Sequence, residues 1–352
     1  MLARSITENK SHHGEHYITR NRSEYFKMFY SAAGGGVIIA LMALNKIHIA
    51  SLGFGEFTTS FLAGLNYGLG FMLIHMLHCT VATKQPAMTA ASFAEQVDSN
   101  EGSKAVDNKL AKLLIDVCRS QSVAVFGNVS IAVLLAAGIA WGYAYTHGQP
   151  LLNEAVTAYQ LKSIEIFTQP TLWYAAIAGV WLFCSGIIAG FFDNRSDYLN
   201  LRQRLPFNPF LRKIMRPQPR RRLAAYIHKH YGSLMGNFIF GMLLGMTGYF
   251  GHLFGLPLDI RHVAFSSANL GYAAISGHAD VFTFMLGLAS VLAIGMVNLV
   301  VSFSLALAVA LRSRGTRLGS MRNLLRSFWS QVKANPLILL YPVQVNNKEN
   351  TK

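Results

Sequence analysis

The sequence predicts an all-α integral membrane protein: a bundle of about six transmembrane helices with one short re-entrant or interfacial segment. Three observations lead there. Of 352 residues, 52% are hydrophobic and only 13% are charged. The apolar residues fall in blocks near or beyond the roughly 20 residues that cross a hydrocarbon core as a helix. The lysines and arginines, in turn, sit almost wholly in alternate gaps between those blocks.

The elements follow in order. A polar tail, residues 1–25, lacks the apolar core of a cleavable signal peptide, so the first block is expected to act as the insertion signal. Spans are predicted at 26–44, 57–79, 122–145, 171–192, 232–254 and 281–311, and a basic tail, 312–352, closes the chain. The last span would measure about 46 Å at 1.5 Å per residue, so it must tilt or project from the bilayer. Between the second and third spans, "NEGSKAVDNKLAK" (Asn100–Lys112) is expected to start a helix that feeds the third. The stretch Leu205–Arg222 carries Pro206, Pro209, Pro217 and Pro219 and cannot be one continuous helix. No internal repeat is visible, and the spans read as one membrane domain.

Charge sets the direction. With the N-terminus inside, the inner segments carry 28 of the 31 lysines and arginines, and the outer ones only Lys46, Lys162 and Arg261. That asymmetry is the positive-inside pattern and predicts a multi-pass protein with both termini cytoplasmic. It also decides the short stretch His262–Ser276. As a seventh span it would send the basic tail outside, so it is expected to re-enter or lie at the outer interface, its backbone buried in protein.

Several polar groups stand out against this background. In the second span Gly64, Gly68, Phe71, His75 and Cys79 share an arc of about 80°, with His78 at its edge. Two histidines at that spacing without a carboxylate make only a weak metal pair; hydrogen bonds across a helix interface suit them equally. In the fifth span Asn237, Gly241, Gly245, Gly248, His252 and Gly255 form a similar stripe. It reads either as a packing seam stapled by Asn237 and His252, or as a groove for a lipid chain or solute. Asp259, Arg261 and His262 gather at the outer membrane edge, where the first two can pair or the three can form an access site. At the inner edge Thr83, Lys84, Gln85 and Thr89 surround the helix-breaking Pro86 and could hold a phosphate or carboxylate. The basic run Arg220, Arg221 and Arg222 suits anionic lipid or nucleic acid. The three cysteines have no disulfide or zinc spacing, and no motif asks for a cofactor.

Five stretches carry a resemblance: "GEHYITR" (Gly14–Arg20), "SAAGGG" (Ser31–Gly36), "GLNYGLGF" with "ATKQPAMTAA" (Gly64–Ala91), "GNFIFGMLLG" (Gly236–Gly245) and "GLPLDIRHVAFSSANLGYA" (Gly255–Ala273). The chain resembles a bacterial multi-pass membrane family labelled gonococcal-type site-specific recombinase. Members of that family are generally longer, with a polar helical half ahead of GEHYITR, so the resemblance covers the membrane half. The chain looks like a split, truncated or differently started version, and a separate soluble subunit is one partner this suggests. The label implies DNA strand exchange. The residues point elsewhere: none of the 12 histidines opens the H-x-x-R of a tyrosine recombinase, and no polar segment is long enough for a serine recombinase domain.

The expected function is therefore transport or lipid and solute handling in the glycine-lined groove, with membrane lipids and further copies of the chain as partners. The alternatives are a membrane-anchored DNA-recombination factor acting through its basic loops, and a structural partner of a soluble half.

Overall fold

The computed structural model describes residues 19, 21–82, 90, 94, 104–315 and 321–342. Lys84, Gln85, Thr83 and Thr89 lie outside them. Eleven α-helices are described: α1 (Arg22–Ser51), α2 (Glu56–Met76), α3 (Lys104–His147), α4 (Glu154–Ile164), α5 (Thr171–Tyr198), α6 (Leu201–Arg204), α7 (Pro209–Ile214), α8 (Pro217–Phe254), α9 (Val263–Ser276), α10 (Val281–Arg314) and α11 (Met321–Ala334). Among the described residues there is no strand. Six helices, α1, α2, α3, α5, α8 and α10, are long and apolar enough to cross a membrane.

Most helices outrun their apolar blocks, because polar residues at their ends can continue a helix into the interface. Thus α1 carries on through Lys46 and His48, and α3 begins among the charges of the predicted "NEGSKAVDNKLAK" helix. The ends are set by local chemistry. Asn21 caps α1 by accepting the Glu24 N–H, and Asp280 caps α10 by accepting that of Thr283. Gly255 ends α8 in the left-handed region at φ 62°, where a side chain would be strained. The proline-rich stretch breaks into α6, a 3-10 turn (Leu205–Phe207) and α7. Pro209 and Pro217 stand at first helical positions, where a missing N–H costs nothing.

The spans form a ring in the order α1, α2, α8, α5, α10, and α9 closes it between α10 and α3, which returns to α1. Thr19, α6, α7 and α11 gather at one end, here the basic end; the α1–α2 turn and α4 lie at the far end. From Gly255 the chain turns back into the bundle in extended form. Its Arg261 N–H bonds to the Tyr174 carbonyl, and α9 then climbs outward beside α3. Twelve of the fourteen residues of α9 are buried, whereas the irregular limb before it runs from exposed at Gly255–Pro257 to buried at His262.

The sequence showed no repeat; the structure contains one. Asn128 of α3, fully buried, accepts from Ala82 N (2.6 Å) and donates to the carbonyls of Thr80 (2.9 Å) and Ala32 of α1. Asn298 of α10, equally buried, accepts from Val263 N (3.0 Å) and donates to the carbonyls of Arg261 (3.0 Å) and Ala175 of α5 (2.7 Å). The backbone repeats the match: Thr80 N–H bonds to Ser31, as Arg261 N–H bonds to Tyr174. Gly36 lies against the Asn128 carbonyl and Ile131, as Gly179 lies against the Asn298 carbonyl and Val301. Three spans, α1, α2 and α3, are thus repeated upside down by α5, α8 and α10. The α2–α8 pair sits on the axis between them: Gly68 meets Gly241, and Gly64 meets Gly245.

Candidate functional site

The glycine stripe of α8 is a packing seam. A Cβ built on Gly241 or Gly245 would overlap the backbone of Gly68 or Gly64, so α2 fills the groove that the sequence left open to a solute. The reason is reciprocity: the stripe on α2 has the same period, and two such faces approach backbone to backbone. His252 staples the far end of this seam, its Nδ1 lying 2.5 Å from Glu56 Oε2, and Asn237 is buried within it. Towards the basic end His75 turns to His230 of α8, Nε2 to Nδ1 at 3.1 Å, and not to His78. His78 sits past the helix end at φ 56°. His230 escaped the sequence reading because it lies 155 positions away.

Asp259, Arg261 and His262 sit together on the descending limb, with His262 buried, Arg261 half-buried and the Asp259 side chain 36% exposed. The descending limb passes Gly248, two turns below the end of α8, where Asp259 Oδ1 would lie 3.5 Å from an added Cβ. Arg261 Nη1 donates to Asp259 Oδ2 (2.6 Å) and its Nε to the Ser163 carbonyl (2.6 Å), and the guanidinium stacks over Tyr174. Asp259 also accepts its neighbour's N–H, from Ile260 (2.8 Å), so this pair is held from both sides. His262 is 1% exposed and stands among Phe71, Phe240 and Phe265, with ring centroids at 6.4, 5.8 and 6.0 Å. Its Nδ1 caps α9 by accepting the Ala264 N–H at 3.4 Å.

Beside them lies a polar recess of about 40 Å³, lined by Lys46 and Tyr67 and by Gln160, Arg261, Ser266 and Asn269 among others. Helices α1, α2, α4 and α9 and the descending limb contribute to it. Tyr159 borders it from α4, with 56% of its surface exposed. Sequence reasoning missed Lys46, Tyr67, Tyr159 and Gln160. The available signal was Lys46, a rare cation on the far side. A second, apolar groove of about 560 Å³ opens between α1 and α2, lined by Met42, Asn45, Leu62 and Asn66 among others. Across its floor Asn45 bonds to Asn66 at 2.9 Å.

At the basic end Arg221 and Arg222 are exposed and Arg220 is half-buried in the first turns of α8. Seven-tenths of the Phe207 and Phe210 side-chain surface is exposed beside them (68% each).

The ring of six spans and its re-entrant helix define a multi-pass helical membrane protein with a polar recess inside the bundle. It belongs to the family described as site-specific recombinase, whose match covers residues 1–342. No curated protein and no solved structure matches the chain.

Proposed function

We propose that the protein moves a small polar solute across the membrane by alternating access, with the recess at α9 as its far-side site. The observation that carries this reading is the inverted repeat. Such repeats, with re-entrant elements at the repeat interface, let one half adopt the conformation of the other and so open a site to each side in turn.

The two halves differ where alternating access requires it. At the basic end of the α5–α8 seam, Gly232 and Gly236 press on the backbone of Ala189 and Ser185. With Gly64 answering to Gly241 and Gly68 to Gly245, those glycines correspond to Gly55, just ahead of α2, and to Thr59 of α2, and Ser185 corresponds to Met42 of α1. Nothing lies within 4 Å of a Cβ on Gly55, and the apolar groove fills the far-side seam. One seam is shut and its counterpart is ajar. In this reading the basic end faces the cytoplasm of an inner membrane, its exposed cations against anionic headgroups.

Paired cysteines test the exchange. Ser196 Oγ lies 3.0 Å from His228 Nδ1 across the shut seam, so Ser196→Cys with His228→Cys is expected to cross-link in the present state. Met42→Cys with Thr59→Cys is expected to cross-link only after the exchange. Each disulfide should exclude the other when both pairs are followed in one population. A Met42–Thr59 pair that never forms, beside a Ser196–His228 pair that forms completely, would sink the reading.

The family's description favours a second one, DNA engagement at the basic end through Arg220, Arg221 and Arg222. Salt-dependent DNA binding that disappears when all three become Gln would move the function there.

A further inference from the structure

We infer that the recess binds a compact, singly charged anion, a small inorganic ion or the carboxylate of a small organic acid, with Lys46 as its charge partner. The inference names the solute class for the site proposed above and rests on that reading.

Charge comes first. Arg261 is already matched by Asp259, whose carboxylate takes the Arg261 Nη1 and the Ile260 N–H and does not line the recess. Among the described residues no acidic side chain lines it. Lys46 is left: no hydrogen bond or ion pair reaches its ammonium among the described residues. A lysine half-buried in the wall of a polar recess favours a counter-charge, since an uncompensated ion away from bulk water is costly. The balance of Lys46, Arg261 and Asp259 is one positive charge, which one monoanion neutralises and a dianion overshoots.

The second line is hydrogen bonding. Tyr67, Gln160 and Ser266 are each at least 95% buried, line the recess and have side-chain polar atoms that no group among the described residues engages. Asn269 adds a side-chain oxygen that is buried without a partner. Buried polar groups are normally satisfied, and a ring of unengaged donors around one cation is the arrangement an anion completes. Amide orientation follows the ligand, so Asn269 can present its NH2 in place of its oxygen.

Size is the third. A water needs about 10–15 Å³ of such space, so 40 Å³ admits about three waters or one ion of that bulk. A sugar or a nucleotide is excluded. The α9 N-terminus, which begins at the recess, adds a favourable field for negative charge.

The test is thermal unfolding of the full chain in neutral detergent, with sodium chloride, nitrate, formate or acetate titrated against gluconate at constant ionic strength. A saturable rise with at least one compact anion and none with gluconate is expected. In Lys46→Gln the apparent affinity should fall on the order of ten- to a hundredfold, the loss of one charge-assisted contact, and Lys46→Arg should restore it. Asn269→Ala should weaken binding without moving the elution volume. Formate and acetate acting alone would identify an organic acid, and chloride or nitrate acting alone an inorganic ion. A response that Lys46→Gln leaves unchanged, or that follows the cation or ionic strength, overturns the assignment. Exchanging seams in a protein that binds no anion would remove the anion and keep transport. Anion binding with fixed seams would do the reverse.

Discussion

Asn128 and Asn298 make the same three hydrogen bonds in opposite orientations, each joining the first span of its half to the backbone just after the second. The amide is well chosen for the task. It offers one acceptor and two donors, and the backbone it meets offers one N–H and two carbonyls.

Replacing either asparagine by alanine strands those groups in the interior. Each group left unsatisfied costs about 1–3 kcal/mol, and the two variants should lose stability by similar amounts. Thermal unfolding in detergent measures it. A large loss at one site beside none at the other would contradict the equivalence.

Glycines in the spans should divide by what a methyl meets. Gly245→Ala forces α2 away from α8 and is expected to cost about 1–3 kcal/mol, the usual range for overpacking. At Gly138, nothing lies within 4 Å of an added Cβ, so Gly138→Ala should be neutral or stabilise by up to about 1 kcal/mol. Paired denaturation curves settle the contrast.

Asp280 has its carboxyl pKa lowered by the Thr283 hydroxyl and N–H that it accepts at the start of α10. The sign follows from linkage. The cap is at full strength above the unfolded pKa of about 3.9 and is lost as pH falls through the depressed folded value. Unfolding followed from neutral pH into that range should show Asp280→Asn to be less acid-sensitive than the parent, with the cap retained.

Arg119, 3% exposed, gathers both terminal segments onto α3. It donates to the Thr19 carbonyl, to Asp116 at 2.7 Å and to the Ile338 carbonyl at 3.3 Å. Arg119→Met is expected to cost about 3 kcal/mol locally and to expose both segments. Limited proteolysis should then cut near Asn21 and beyond Ala334 faster than in the parent, with the spans intact.

Much of this architecture could be read from the sequence. Apolar blocks gave the spans, and the lopsided placement of Lys and Arg kept Val263–Ser276 from becoming a seventh. The stripes of Gly64 and Gly68 and of Gly241 and Gly245 announced close approach, though not that each would fill the other. The repeat was hidden because its equivalences lie in backbone carbonyls and two asparagines. Ser31 answers to Tyr174, and Ala82 to Val263, with loops of unequal length between them. The recess was hidden for another reason. Its residues come from four helices and the descending limb, one to three from each, and only the path of that limb brings them together.

The seam on the repeat axis also bears on how the chain is made. Gly64 and Gly245 are partners 181 positions apart, so α2 enters the bilayer long before α8 exists. At about 5–20 residues per second, roughly ten to forty seconds pass between them. During that interval the first half waits with its glycine face bare to lipid. An insertion factor or a passing helix that covers small residues would find its opportunity there.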